Sequence, residues 1–288
     1  MYPTRGAISA VPGRGRLRGV SPLHAAIVAC ASLAALCWSL SLLTREYSWV
    51  DRVWSLAPIG YVAWFAAQTD PADPRLMLMA VLVALWGVRL TFNFARKGGY
   101  RRGGEDYRWS VLRGMMPPPL FQAFNLVFIA AYQNALLLLI SLPAWAALRE
   151  PPTPLGALDV AATAAFLLLL VGETVADQQQ WAFQLAKQRR GGASPGFVTT
   201  GLFRWSRHPN FFCEQGMWWC FYLFSVAAGA DWINPSIVGP VLLTLLFLGS
   251  TTFTESISAA RYPAYRDYQR RTSRLIPWWP AAPREASR

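Results

Sequence analysis

The sequence is poor in charged residues, histidine and cysteine. Only 15% of its 288 residues are charged, and it contains two histidines and four cysteines. Cys30, Cys37, Cys213 and Cys220 form two pairs spaced by seven inside apolar stretches, and neither a CxxC motif nor a His/Cys cluster occurs. A disulfide framework and a metal site are therefore not expected, and the cysteines are interpreted as small packing residues. So low a charge is also untypical of a soluble domain.

The sequence contains long apolar runs without charged residues. Residues 23–43 and 233–253 each lack any charged side chain over 21 residues, which matches the ~20 residues a helix needs to cross about 30 Å of hydrocarbon. The first run is longer than a typical signal-peptide core and has no clear cleavage signal, so we expect a retained helix. The fourteen tryptophans and ten tyrosines suit interfacial anchoring. The composition predicts an all-α integral membrane protein.

Apolar segments separated by proline-rich turns predict a bundle of about seven transmembrane helices, joined by polar loops and followed by an amphipathic C-terminal tail. We assign residues 21–280 to one polytopic domain, with a disordered basic tail at 1–20 and a short C-terminal tail at 281–288. The predicted helices cover 23–43, 53–68, 76–95, 119–142, 155–172, 210–230 and 233–254.

Lysine and arginine are distributed unevenly between alternate loops. Segments 44–52, 96–113, 173–209 and 255–288 carry twenty of them, whereas the opposite side carries six. The positive-inside rule then places the C-terminus in the cytoplasm and the N-terminus outside, although the four N-terminal arginines oppose this orientation. The net charge of +12 is spread between apolar spans and forms no single basic patch, so nucleic acid is not an expected partner.

The stretch 201–219, GLFRWSRHPNFFCEQGMWW, places polar groups at the start of an apolar helix. Pro209 suits the first turn of that helix. A helix N-terminus beside arginines favours an anion such as phosphate. The alternative is an interfacial helix start whose arginines extend toward water. The polar side chains concerned are Arg204, Arg207, His208, Asn210 and Glu214.

A second polar pattern recurs every three or four residues between 173 and 187, and so forms one stripe on an extension of the fifth helix. This stripe faces either water or a cofactor held beneath 201–219. Residues 262–274 add tyrosines spaced by three with interleaved arginines, which favours packing but could also wrap a phosphate ligand. The stripe consists of Glu173, Asp177, Gln180, Gln184 and Lys187.

Four motifs in this order resemble the steroid 5-alpha-reductase-like membrane reductases, most closely their bacterial members. They are WGVRL with GEDYRW within 86–109, ETVAD at 173–177, GLFRWSRHPNFFCE at 201–214 and YPAYRDYQRRTSRLIPW at 262–278. The combination is specific, whereas RHPNFF alone is not. The isoprenylcysteine carboxyl methyltransferases carry a similar RHPxY element and tyrosine-rich tail, and use S-adenosylmethionine instead.

The resemblance to the reductases implies a seven-helix bundle in the bacterial inner membrane that binds NADPH on its cytoplasmic side, with residues 141–280 as the cofactor-binding core. No Rossmann fingerprint is present, so this would be a non-Rossmann site. An amide and a carboxylate one turn apart could bind the nicotinamide carboxamide or ribose, and arginines the phosphates. The matching positions are Arg89, Asp177, Arg207, His208, Asn210, Glu214 and Tyr268.

The reaction implied is hydride transfer to the C=C bond of an α,β-unsaturated ketone in a steroid-like or other lipid substrate. An acid near the carbonyl oxygen would lower the barrier. Asp51 lies near the position of the family's glutamate. Trp86 or Trp54 lies near the position of the family's tyrosine. An ion pair between Asp51 and Arg52 is the structural alternative for this carboxylate.

Two further hypotheses for the function of the whole chain stay open. One is an S-adenosylmethionine-dependent lipid or isoprenylcysteine carboxyl methyltransferase, and the other is a membrane scaffold without catalytic activity. The scaffold hypothesis predicts a polar stripe from Glu173 to Lys187 that is fully exposed to water. Tyr61, and Tyr132 with Gln133, are reserve proton donors inside apolar helices, where buried tyrosines are more often hydrogen-bonded core residues.

Overall fold

A computed structural model describes residues 21–189 and 195–282. Over these ranges the regular secondary structure is helical, and the one extended pairing is an isolated bridge between Ser206 and Ser273. The predicted tail at 1–20 and residues 283–288 lie outside the described part of the chain. The α-helices are α1 Pro22–Thr44, α2 Trp49–Val53, α3 Leu56–Ala66, α4 Pro74–Arg96, α5 Tyr107–Met115, α6 Pro118–Phe124, α7 Gln133–Arg149, α8 Ala157–Arg189, α9 Pro209–Ala227, α10 Val238–Arg261 and α11 Tyr265–Arg271.

Five helical stretches are long and apolar enough to cross a membrane, which confirms the all-helical membrane architecture. Two predicted spans are not among the five. The predicted 53–68 helix becomes the 11-residue α3, and α9 carries several polar side chains near its start. The count of seven therefore stays a prediction. The five stretches are Pro22–Thr44, Pro74–Arg96, Pro118–Arg149, Ala157–Arg189 and Pro235–Arg261.

Proline marks the start of several of these helices. Pro22, Pro74 and Pro209 each occupy the first turn, where the fixed φ suits the helix and the missing N–H costs no hydrogen bond. Asp73 adds a side-chain cap to α4, because its carboxylate accepts from the backbone N–H of Arg75 at 2.9 Å and of Leu76 at 3.2 Å. These starts are local features of the sequence, and the turn prolines indicated them correctly.

The predicted 119–142 helix is longer and less regular than expected. It runs from Pro118 to Arg149 and includes a π-helical segment, Asn125–Tyr132. Along this segment Phe124, Phe128 and Tyr132 stack, with ring centroids 4.8 and 5.3 Å apart. The three rings thus form a continuous stack along one side of the segment.

The core lies where α3, α4, α7, α8 and α9 meet, and α8 packs along much of α9. Trp86 on α4 and Trp218 on α9 are both fully buried in it. Gly87 allows α3 to approach α4 beside Trp86, because a Cβ at this position would lie 2.6 Å from the carbonyl oxygen of Ser55. The close approach of α4, α8 and α9 positions the candidate site described next.

Candidate functional site

Arg89 lies at the centre of a buried polar cluster formed by α4, α8 and α9. Its guanidinium is 2.7 Å from a carboxyl oxygen of Glu173 and 2.6 Å from one of Asp177, both on α8. Glu214 on α9 lies farther away, at 3.8 Å. We call Arg89, Glu173, Asp177 and Glu214 the Arg89 cluster. Three residues predicted to bind cofactor, from three separate helices, thus meet at one place.

Neutral and cationic donors complete the Arg89 cluster. Asn93 donates its amide to Asp177 at 2.7 Å, and the Lys97 ammonium lies 3.5 Å from the same carboxylate. Lys97 is 39% exposed, so it marks the solvent-facing edge of the cluster. Trp86 and Trp218 donate their indole N–H groups to the two oxygens of Glu214, at 2.7 and 3.1 Å. Each of these donors stabilises an ionised carboxylate.

The three carboxyl groups are not equally satisfied. One oxygen of Glu173 is buried and has no hydrogen-bond partner among the described residues. The side-chain oxygens of Gln180 on α8 and Gln215 on α9 are likewise buried and unpartnered there. Buried polar atoms without partners are rare in native proteins and indicate a missing water, ion or ligand. Glu173, the neighbouring parts of α8 and α9, and the Nε of Arg89 on α4 therefore have spare hydrogen-bonding capacity among the described residues.

Asn210 lies one turn before Glu214 on α9 and is half-buried. Within residues 21–189 and 195–282 its side-chain amide makes no hydrogen bond, so its donor and acceptor are both available. The polar stripe of α8 is partly buried, because Glu173 and Asp177 are nearly inaccessible while Lys187 is half-buried. The scaffold hypothesis predicts that the whole stripe is exposed to water. This prediction is wrong for the first turns of the stripe.

Arg207 and His208 belong to a second, separate cluster around Glu255 of α10. Arg207 contacts both oxygens of Glu255, at 2.7 and 3.0 Å, and His208 Nε2 lies 3.0 Å from one of them. Gln269 donates to the other oxygen at 2.8 Å. Arg207 also donates to the backbone carbonyls of Gln269 and Thr272. The guanidinium predicted to bind phosphate is thus occupied by internal acceptors.

This second cluster fastens the C-terminal segment across the start of α9. The backbone N–H of Arg207 donates to the carbonyl of Ser273 at 2.8 Å, and that of His208 to Arg274 at 3.1 Å. The hydroxyl of Tyr268, whose pKa burial raises, donates to the carbonyl of Phe203. We call residues 262–278 the tail strap. Tyr268 and Arg207 have visible structural roles here, and their predicted cofactor contacts stay a prediction.

Asp51, the predicted catalytic acid, lies on the short helix α2, which contributes no residue to the Arg89 cluster. It accepts a hydrogen bond from the indole N–H of Trp109 at 3.0 Å. Burial and, next, the nearby carboxylate of Asp106 raise the pKa of Asp51. A carboxyl group in such surroundings keeps its proton to a higher pH than an exposed one.

Arg52 does not pair with Asp51, so the alternative interpretation of that carboxylate is wrong. Arg52 instead lies 2.6 Å from Glu46 and donates to the carbonyl of Gly99 at 3.2 Å. Among the reserve donors, the Tyr61 hydroxyl is buried beside the thiol of Cys30, and Tyr132 donates to the carbonyl of Leu242 at 3.4 Å. Asp51 therefore remains the acidic candidate in this region.

Several residues of the site were not predicted as site residues from the sequence. Glu173 was part of the predicted stripe and of the ETVAD motif, and its spacing of four from Asp177 could have paired it with the same partner. Asn93 and Lys97 follow Arg89 at helical spacing, which is a weak signal. Glu255 could not have been found, because it lies at the polar end of an apolar span and meets Arg207 only through tertiary packing.

The comparisons with known proteins identify the family to which the chain belongs. No solved structure matches the chain. An uncharacterized protein of Schizosaccharomyces pombe is 38% identical over 263 residues, which cover 85% of this chain and 76% of the yeast protein. Residues 37–272 match the model of a protein family of unknown function, DUF1295. That match covers most of the chain and includes every candidate residue above, so the protein belongs to the DUF1295 family.

Proposed function

We propose that the protein is a membrane-embedded reductase that uses NADPH to reduce the C=C bond of an α,β-unsaturated ketone in a steroid-like or other lipid substrate. The observation that carries the proposal is the Arg89 cluster, in which ionisable groups are buried between α4, α8 and α9 while polar atoms remain unpartnered. Ionisable groups inside a membrane bundle are costly to keep and mark functional sites by default. The resemblance of its motifs to the membrane reductases supplies the reaction class.

Polar residues that neighbour the Arg89 cluster along α8 and α9 fit the nicotinamide and ribose part of a dinucleotide. Asn210 offers a free amide, and the unpartnered oxygens of Gln180 and Gln215 can accept from hydroxyl or amide donors. The bound cofactor would supply the hydride. Glu214, held by two indole donors, fixes a negative charge beside these groups. This arrangement favours a ligand rich in amide and hydroxyl groups.

For the phosphate groups of the cofactor, we propose different cations from those that the sequence suggested. Arg207 is occupied by Glu255 and by two backbone carbonyls, and Arg89 contacts Glu173 and Asp177 inside the bundle, although its Nε has no partner among the described residues. Lys97 lies at the exposed edge of the cluster. Arg96 is next to it and donates only to neutral side chains among the described residues, to Asn93 at 2.9 and 2.8 Å and to Gln178 at 2.7 Å, with its guanidinium 5.3 Å from the ring of Trp181. We propose that this basic edge binds the phosphate end, which is consistent with a cytoplasmic cofactor under the positive-inside rule.

Asp51 would act as the acid that hydrogen-bonds the carbonyl oxygen of the substrate. Hydride addition to the β-carbon moves negative charge onto that oxygen, and a neutral acid stabilises it more than an ionised carboxylate would. The raised pKa of Asp51 favours the neutral form that this role requires. The apolar spans around the site suit a substrate that arrives from the membrane.

Binding of NADPH to the purified protein in detergent tests the proposal directly. We expect saturable binding, detected by energy transfer from tryptophan to the dihydronicotinamide, and weakening of at least tenfold in Asn210→Ala and in Glu214→Gln. Glu150→Gln, in the α7–α8 connection, is the matched control and should bind as the wild type does. A parallel titration with S-adenosylmethionine separates the reductase from the methyltransferase hypothesis. Saturation by S-adenosylmethionine alone, or by neither ligand, would contradict the proposal.

A further inference from the structure

The Arg89 cluster contains more acidic than basic groups. Glu173, Asp177 and Glu214 face the guanidinium of Arg89 and the ammonium of Lys97, so full ionisation would leave one uncompensated negative charge in a buried site. An isolated buried charge is expensive, and a buried carboxyl group that lacks compensation takes up a proton instead. Charge balance therefore requires one proton, or one positive charge from a ligand.

The hydrogen bonds indicate which carboxyl group holds that proton. Glu214 receives one indole N–H on each oxygen, and Asp177 receives Arg89, Asn93 and Lys97. Among the residues that the structure describes, Glu173 has one ion-pair partner, Arg89, which it contacts through one oxygen. Its second oxygen is buried without a partner in the described part of the chain, although Glu173 is only 4% exposed. Glu173 is thus the least stabilised anion of the three.

We propose that Glu173 is protonated in the free protein and loses its proton when the oxidised nicotinamide ring binds. This inference rests on the proposed function and deepens it. The oxidised ring carries a positive charge and the reduced ring is neutral, while the phosphate groups of the two forms are identical. The positive ring would supply the missing compensation, so that all three carboxylates can be ionised. The reduced form offers no such charge, and Glu173 keeps its proton when it binds.

The consequence is a linkage between proton and cofactor redox state. Binding of the oxidised form releases the Glu173 proton to solvent, and no other bond is made or broken. Its affinity therefore rises with pH, by up to tenfold for each pH unit at which free Glu173 is still protonated. The groups around Glu173 are Arg89 from α4, Asp177 from its own helix, and Glu214 and Cys213 from α9, while Lys97, just after α4, faces Asp177.

Calorimetric titration of the full-length protein in detergent tests this linkage. NADP⁺ and NADPH are titrated at pH 7 in phosphate and in Tris, whose ionisation heats differ, and the proton count follows from the difference in binding heat. We expect close to one more proton released with NADP⁺ than with NADPH. Glu173→Gln fixes the neutral state, so we expect the difference in proton release to disappear and the affinity for NADP⁺ to fall at least tenfold relative to that for NADPH at pH 8.

The outcomes separate this inference from the function on which it depends. Equal proton release with both forms in the wild type would overturn the role of Glu173 and leave the reductase intact. Absence of binding by either form would overturn both. Glu150→Gln is the matched control and should retain the wild-type proton difference. Should Glu173→Gln fail to fold, the wild-type proton count and its pH series still decide the question.

Discussion

The indole N–H of Trp86 lies 2.7 Å from a carboxyl oxygen of Glu214, although 128 residues separate the two in sequence. Trp218, one turn after Glu214, donates to the other oxygen, and the two indole rings meet edge to face at 4.9 Å. A buried carboxylate with one donor on each oxygen is held in a single orientation. Trp86 therefore positions an acidic group of the Arg89 cluster.

Replacing Trp86 with phenylalanine should destabilise the protein by about 1–3 kcal/mol, because it leaves one oxygen of a buried carboxylate without its donor. Thermal unfolding in detergent, followed by circular dichroism, measures the change. Trp279→Phe is the matched control, since Trp279 is 74% exposed and should be nearly neutral. Unchanged unfolding in Trp86→Phe would show that the hydrogen bond to Glu214 contributes little to stability.

Arg75 and Asp159 form a buried ion pair between the starts of α4 and α8. Two nitrogens of Arg75 lie 2.7 and 2.9 Å from the two oxygens of Asp159, and both side chains are almost inaccessible. Arg75→Met should cost about 3–5 kcal/mol, because it leaves Asp159 buried without its partner. The double variant with Asp159→Leu should be less unstable than Arg75→Met alone.

A surface pair supplies the control for that measurement. Arg270 and Asp267 on α11 lie 3.3 Å apart, but their side chains are 71% and 64% exposed. Arg270→Met should therefore change stability by about 0–1 kcal/mol. Similar losses from Arg75→Met and Arg270→Met would mean that burial does not decide the strength of these pairs.

Sequence patterns predicted the parts of this molecule that depend on local spacing. Apolar runs of 21 residues indicated α1 and much of α10, and proline marked the first turn of α9. The four-residue spacing of Asn210 and Glu214 placed both on one helix face, where the structure has them. Such features follow from helical periodicity and backbone chemistry, which neighbouring residues determine.

The remaining features depend on which helices pack together. Arg89 meets Asp177, 88 residues later in the chain, and Arg75 meets Asp159 after 84 residues. No periodicity links such partners, and the composition of either helix permits many. The sequence therefore assigned Arg89 and Asp177 to one predicted site but could not show that they contact each other. The π-helical turn at Asn125–Tyr132 likewise has no distinct sequence signal.

The tail strap should loosen when the Tyr268 hydroxyl is removed. Tyr268→Phe loses the hydrogen bond to the Phe203 carbonyl, so we expect faster limited proteolysis within residues 262–278, with the membrane helices intact. Arg266→Gln, on the exposed side of the same helix, is the control. Because the pKa of Tyr268 is raised, its donor is retained at neutral pH, and this contribution is lost only as the pH rises above about 10. Equal cleavage of both variants would argue against the strap.

Asp51 and Glu46 should affect stability with opposite pH dependence. Burial raises the pKa of Asp51, so the folded state binds its proton more tightly than the unfolded state. This favourable contribution is complete below the ordinary pKa of about 3.9 and is lost as the pH rises through the folded value. Hydrogen bonding by the N–H of Gly103, and next by Arg52, lowers the pKa of Glu46, so its contribution is present at neutral pH and is lost as the pH falls below about 4.

Thermal unfolding of Asp51→Asn and Glu46→Gln across pH 3–8 checks both signs. Relative to the wild type, Asp51→Asn should gain stability as the pH rises, because asparagine carries no charge that burial would penalise. Glu46→Gln should lose stability at neutral pH and approach the wild type in acid. The two variants serve as controls for each other, since they lie five residues apart at the same end of the bundle. Parallel pH profiles for the two would contradict the proton-retaining environment of Asp51, and with it the neutral acid that the proposed reduction requires.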